Sequence, residues 1–133
     1  MTQAFRVAVS RDADIVTARQ LGRELATKAG FTGSDLTLIA TAISEVARNI
    51  VAYAAHGEIL LDLAERNGVS GLQVIAQDHG PGIADIDQAM RDGFSTGKSL
   101  GLGLPGARRL MDEFEIESEV GKGTTVVMRK WRR

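Results

Sequence analysis

The sequence predicts an α+β fold: a two-layer sandwich in which helices cover one face of a mixed, mostly antiparallel sheet. Three observations lead there. Apolar spacing gives the element order β-α-α-β-β-loop-α-β-β, in which most strands arrive in adjacent pairs, as hairpins do. The alternating strand-helix-strand rhythm of a doubly wound parallel sheet is missing. The chain has 133 residues, 44% apolar and 25% charged, enough for a single core and close to the average of soluble globular domains. No repeat, linker or low-complexity tract interrupts it, so residues 1–133 read as one domain.

Each element has its own signal. Residues 4–10 (AFRVAVS) alternate apolar and polar and read as a strand. Asp12 or Asp14 then caps a helix over about 14–29, with Ile15, Ala18, Leu21 and Leu25 as its apolar stripe and Gly30 as its stop. Ser34 or Asp35 opens a second helix to about Ala54, whose core face is Leu36, Ile39, Ile43, Val46 and Ile50. Residues 58–65 and 71–77 read as a hairpin pair joined by RNGVSG. A short helix near 85–91 is expected after Gly82, and the glycine- and serine-rich stretch 92–100 reads as a mobile loop. A helix over about 103–113 and strands near 114–119 and 123–131 complete the chain.

Composition excludes several chemistries. The formal net charge of -1 gives no broad attraction to nucleic acid, and few aromatics leave no stacking platform for single strands. The basic end (Arg129, Lys130, Arg132, Arg133) reads as a solvated edge. Without cysteine there is no thiolate nucleophile or thiolate metal site, and His56 and His79 alone make a histidine-rich zinc site unlikely. No signal peptide or long apolar run is read, so the expected place is the cytoplasm, away from membranes. The lysine and aspartate signatures of eukaryotic-type kinases are absent, as are GxSxG and HExxH.

The chemistry concentrates in three short motifs: SEVARN (Ser44 to Asn49), DHGPGI (Asp78 to Ile83) and GLGLPG (Gly101 to Gly106). Glu45 and Asn49 stand four residues apart, on one side of the second helix. A carboxylate there can take a hydroxyl proton, and an amide oxygen can ligate a hard cation such as Mg²⁺. The plain alternative is a solvated polar face with a surface Arg48. Asp78 ends an apolar run, where a carboxylate is costly to bury without a donor; an adenine amine is one such donor. Gly80 and Gly82 flank Pro81 and permit close backbone approach, although the same residues also make ordinary turns. Gly101, Gly103 and Gly106 match GxGxxG, but a polar loop precedes them where a dinucleotide fingerprint needs a strand. Glycines at a helix start do present backbone N–H groups to phosphate oxygens. STGKS (Ser95 to Ser99) is like the end of a P-loop but misses its spacing, since the upstream glycine is Gly93 and the pattern needs it at Asp92. Lys98 stays a candidate phosphate contact from a closing loop. Phe94, in that loop, is either a partner contact or simple packing.

Taken jointly, the three motifs resemble the GHKL (Bergerat) ATPase superfamily of histidine kinases, gyrase and MutL, and the short chain narrows this to its bacterial anti-sigma and switch-kinase branch. The stretch GFSTGKSLGLGLPGARRLMDEFEIESEVGKGTTV (Gly93 to Val126) is similar to the RsbT-type switch serine kinases of the stressosome. The resemblance covers nearly the whole chain. It implies ATP and Mg²⁺ as cofactors. Glu45 would be the general base, Asn49 the Mg²⁺ ligand, and Asp78 the adenine reader. Gly80, Gly82 and Ile83 would floor the adenine pocket, with Thr124 or Thr125 reinforcing the contact. Gly101, Leu102, Gly103 and Gly106 would wrap the phosphates, and residues 84–100, with Lys98, would be the lid. It further implies a serine or threonine on a STAS-domain antagonist as substrate and a PP2C-type phosphatase as a second partner. The rival within the same branch is an anti-sigma factor kinase of the RsbW or SpoIIAB type, whose partner is a sigma factor. An adaptor that binds ATP without transferring it is the third reading; Glu45 argues against it.

Overall fold

A computed structural model of the chain describes residues 4–83, Ile86, Met90 and residues 103–132. In chain order the elements are β1 (Ala4–Val9), α1 (Asp12–Ala29), α2 (Ser34–Tyr53), β2 (Gly57–Arg66), β3 (Val69–Asp78), α3 (Gly103–Leu110), β4 (Glu113–Glu119) and β5 (Gly123–Trp131). The five strands form one sheet in the order β1-β2-β3-β5-β4, and every described pairing is antiparallel. The expected α+β sandwich is therefore present, at the antiparallel end of the expected mixed range.

Local chemistry sets the boundaries. Asp14 folds its carboxylate back to accept the backbone N–H of Ser10 at 2.9 Å and of Arg11 at 3.2 Å, which satisfies donors at the start of α1. The Ser10 hydrogen bond chiefly holds the Asp14 carboxyl below its ordinary pKa. At the other end, the Gly30 N–H bonds the carbonyls of Ala26 and Thr27 and closes the helix where expected. The β2–β3 connection is tighter than the six residues expected for it. Only Asn67 and Gly68 turn, both with positive φ, and Arg66 pairs directly with Val69. Asn-Gly is the dipeptide that two-residue hairpins favour, so the strands extend into the rest of RNGVSG. The last helix stops at Leu110, before the expected 113, and β4 begins at Glu113. Of the short helix expected near 85–91, the Met90 N–H bonds the Ile86 carbonyl at 3.0 Å, a helical spacing; the remainder lies outside the described residues, as does Phe94.

The core lies between the helices and one face of the sheet. Ile39, Ile43, Val46 and Ile50 of α2 are buried with Ile59 and Leu61 of β2, Leu72 and Val74 of β3, and Met128 of β5. Each such side chain contributes about 1.5–3 kcal/mol by leaving water. α2 also packs on α1 and α3, so its middle is enclosed on several sides. An 18-residue window of this 20-residue helix has a mean hydropathy of 1.2, enough by length and composition alone to cross a membrane, and half of it is buried inside this fold, as in a core helix. The basic end is less solvated than expected. Arg129 pairs with Glu113 and Glu115, Lys130 donates to the Leu110 carbonyl, and the Arg66 guanidinium sits 4.6 Å above the Trp131 ring.

Candidate nucleotide site

Among the described residues, Glu45 and Asp78 are the two buried acids, 6% and 7% exposed. Burial of a carboxylate is costly unless donors meet it, so the donors define the site.

Asp78 is the last residue of β3, next to the start of β5. Its Oδ1 accepts the N–H of Gly80 at 2.9 Å and of Thr124 at 3.2 Å. Its Oδ2 takes no hydrogen bond among the described residues and remains available as an acceptor. The two strands meet here because position 123 is glycine: a Cβ would lie 2.1 Å from the Asp78 carbonyl oxygen, and φ is +107°. Thr124 is buried on the Asp78 side; Thr125, one residue on, projects to the opposite face of the sheet. Of the two expected threonines, Thr124 is the one in contact with Asp78.

The loop after Asp78 is tied to the β4–β5 turn. The Gly121 N–H donates to the Pro81 carbonyl at 2.9 Å, and the Ile83 N–H donates to the Ser118 hydroxyl at 2.7 Å. Gly82 has φ +78°, and a Cβ there would stand 2.3 Å from the Glu119 carbonyl oxygen, so only glycine fits. The Ser118 hydroxyl also lies 3.0 Å from the Gly123 carbonyl and 2.8 Å from the Thr124 hydroxyl. One side chain thereby joins Ile83, Gly123 and Thr124. Sequence reasoning did not single out Ser118, Gly123 or Arg48. A serine alternating with glutamates reads as an ordinary strand face, and its partner Ile83 lies 35 residues off in sequence. A depression of about 270 Å³ opens beside this end, lined by Asp78, Thr124 and Ser118 together with Glu117 and Lys122; it does not extend to Glu45 or Asn49.

Glu45 lies in the middle of α2, not on a solvated face. Its Oε1 accepts the N–H of Gly103, the first residue of α3, at 3.0 Å, and its Oε2 accepts from Arg48 Nη1 at 3.0 Å. Gly103 has φ +56° and Gly106 is buried within the same helix. An N–H at a helix start is unsatisfied by its own helix and carries the positive end of the dipole, so a carboxylate or a phosphate suits it. Asn49, one turn beyond Glu45, is half-buried. No group of three or more His, Cys, Asp or Glu gathers among the described residues. One amide oxygen nonetheless suits Mg²⁺, which takes one or two protein ligands and fills its shell with phosphates and water. The donor set fits ATP–Mg²⁺ and does not fit a metal held by protein alone. Lys98, Gly101 and Leu102 lie outside the described residues, as does most of the expected lid over 84–100.

Known proteins place the chain in a family. A family model described as histidine kinase-like ATPase domain matches residues 8–130. The serine/threonine-protein kinase RsbT of Bacillus subtilis (strain 168) is 51% identical over 127 residues, 96% of each chain. The anti-sigma F factor of Geobacillus thermodenitrificans (strain NG80-2) is 36% identical over 106 residues, covering 74% of this chain and 71% of that one. Among solved structures, one of the RsbU and RsbW domains of a Mycobacterium tuberculosis protein superposes over the whole chain with a TM-score of 0.65 at 24% identity. This chain spans 33% of that longer one. The mycobacterial sensor histidine kinase MprB superposes with a TM-score of 0.56 at 12% identity. These two likenesses concern the fold alone.

Proposed function

The chain belongs to the histidine kinase-like ATPase domain family and is an ATP-using serine/threonine-protein kinase of the RsbT kind; we propose that it works as a partner-switching kinase whose acceptor is a serine or threonine of a STAS-domain antagonist. The observation that carries the site assignment is the contact between Glu45 and the Gly103 N–H. It sets a buried carboxylate against the glycine-rich helix start that suits phosphate. In this reading Asp78 Oδ2 accepts the adenine amine, with Thr124 beside it and Gly80, Gly82 and Ile83 forming the floor. Gly101, Leu102, Gly103 and Gly106 take the phosphates, joined by Lys98. Asn49 contributes its oxygen to Mg²⁺, which when bound offsets phosphate charge.

Glu45 accepts the proton of the acceptor hydroxyl as the oxygen attacks the γ-phosphorus in line and the bond to the leaving ADP breaks. Helix-start N–H groups meet the charge on the transferred group. Once released, the kinase docks on a PP2C-type phosphatase, as the stressosome resemblance implies. An enzyme that uses ATP in this way works in the cytoplasm. The second reading, favoured by the 36% identity to an anti-sigma F factor, gives the same site a sigma factor as partner.

The test incubates the purified protein with ATP and Mg²⁺ and, in turn, STAS-domain, sigma-factor and PP2C-phosphatase candidates. Phosphate should appear on a hydroxyl of the STAS protein and loosen its complex, because a phosphoserine adds about −1.5 to −2 charge beside the nucleotide. Tight retention of the sigma factor without release by the STAS protein would replace this reading with the second.

A further inference from the structure

We propose that Arg48 is the positioning residue of Glu45: its guanidinium fixes one carboxylate oxygen so that the other is presented to the acceptor hydroxyl. This rests on the proposed role of Glu45 as base. Three features of the contact lead to it.

The first is burial. The Glu45 side chain is 7% exposed, and its donors are Arg48 Nη1 and the Gly103 N–H, both at 3.0 Å. A carboxylate that deep depends on both.

The second is what each donor is attached to. Gly103 starts α3 and directly follows the glycine-rich segment assigned to phosphates, so its N–H is the donor a triphosphate competes for. Arg48 stands three residues from Glu45 on the same helix, so its hold does not depend on where α3 sits. When the Gly103 N–H turns to phosphate, Arg48 is the contact that persists. Each carboxylate oxygen has about two acceptor directions, so the grip on Oε2 leaves Oε1 open for the incoming hydrogen.

The third is chemistry. Arginine stays protonated and donates only, so Arg48 cannot take the acceptor's proton and does not replace the base. Of the nearby polar residues on the helix, Ser44 spends its hydroxyl on the Ala40 carbonyl at 2.9 Å, and Asn49, one turn beyond, is assigned to Mg²⁺ in the proposed reading.

The experiment compares wild type, Arg48→Met, Arg48→Lys, Glu45→Gln and the Arg48→Met/Glu45→Gln double variant, with thermal melts to establish folding. Without nucleotide, amide exchange at Gly103, followed by NMR, should quicken roughly tenfold in Arg48→Met and recover in Arg48→Lys, the loss of a charge-assisted hydrogen bond that steadies its acceptor. ATP–Mg²⁺ affinity should stay within about twofold, because the hold of Arg48 is on Glu45, which acts on the acceptor in this reading. Transfer to the STAS protein should lose about 10²-fold in kcat with KM held, the cost of misplacing a base. Lysine should restore part of it, and Arg48→Met should add nothing once Glu45 is glutamine.

Unchanged Gly103 exchange in Arg48→Met overturns the proposal. So does a loss of ATP affinity with exchange unchanged, or an equal loss of rate in the Glu45→Gln background. If Arg48→Met does not fold, Arg48→Gln, which also removes the charge, carries the same readouts. If wild type transfers phosphate to no acceptor, the kinase reading fails separately, and Gly103 exchange still decides whether Arg48 holds Glu45.

Discussion

Carboxylates are handled in opposite ways at two places in the molecule. At the motif-bearing end, Asp78 and Glu45 are buried, and backbone N–H groups of Gly80, Thr124 and Gly103 meet them. On the outer face of the sheet, Glu113 sits toward the surface and is met by side chains: Arg66, Arg129 and the Trp131 indole N–H. Backbone donors are fixed by the fold and lose no side-chain entropy when they bind. At Asp78 they hold one oxygen and leave the other available; at Glu45 the Gly103 N–H holds one oxygen and a single side chain, Arg48, holds the other. Side-chain donors surround an acid from several directions and use it up. The first arrangement suits an acid that must meet something else; the second suits one that only ties strands together.

Exchanging each acid for its amide tests that contrast. The largest effect is expected at Glu45. Glu45→Gln keeps an oxygen for the Gly103 N–H but cannot accept a proton, so phosphoryl transfer should fall by about 10²–10⁴-fold while the fold and ATP binding persist. Rapid-quench assays beside calorimetric titration separate the two. A variant that transfers normally would reduce Glu45 to a cap for α3.

Asp78→Asn comes next. The amide oxygen can keep both backbone N–H partners, so the protein should fold. Its NH₂ group would face the adenine amine donor to donor, weakening ATP binding by about 1–3 kcal/mol. Titration with a non-hydrolysable ATP analogue reads this directly, and unchanged affinity would remove Asp78 from the adenine pocket.

Glu113→Gln should leave nucleotide binding untouched and alter only stability, by the least of the three. Hydrogen bonds from Arg66 first, then Trp131 and Arg129, pull the Glu113 carboxyl from 4.5 down to about 2. A carboxyl with a depressed folded pKa stabilises the fold above its unfolded value and loses that contribution as pH falls through the folded one. The wild type should therefore outlast the variant at neutral pH, and the gap should close between about pH 4.5 and pH 2. Thermal melts across that window check it; a gap that stays constant would show that the network does not act through charge.

Much of this organisation was legible in the sequence, and the unread part has a common cause. Local signals found the elements: the stripe of α2, the stop at Gly30 and the alternation of β1 depend on neighbours within a few residues. Glu45, Asp78 and the glycines were legible because spacing and motif order mark them. Ser118, Gly123 and Arg48 were not. Ser118 acts on Ile83, 35 residues away, and Thr124 acts on Asp78, 46 away. Nothing in either neighbourhood announces such a meeting. Arg48 was visible as a charge and read as solvated, because the enclosure of α2 by α1, α3 and the sheet arises only when the chain is folded. The hairpin was misjudged for a smaller reason: six turn-forming residues looked like a loop, whereas Asn67 and Gly68 suffice.

The alternation along β4 has a further consequence. Among the described residues β4 is an edge strand, paired with β5 alone, and Glu113, Glu115, Glu117 and Glu119 stand at every second position of its outer face. An exposed edge is a template on which another strand can add. Were two copies to pair antiparallel through β4 with these faces aligned, glutamate would lie opposite glutamate at each in-phase register, an arrangement that cross-strand charge repulsion opposes. The strand that ties Ile83 to Thr124 through Ser118 thus also insulates the molecule, making fibre-like stacking along this edge unfavourable.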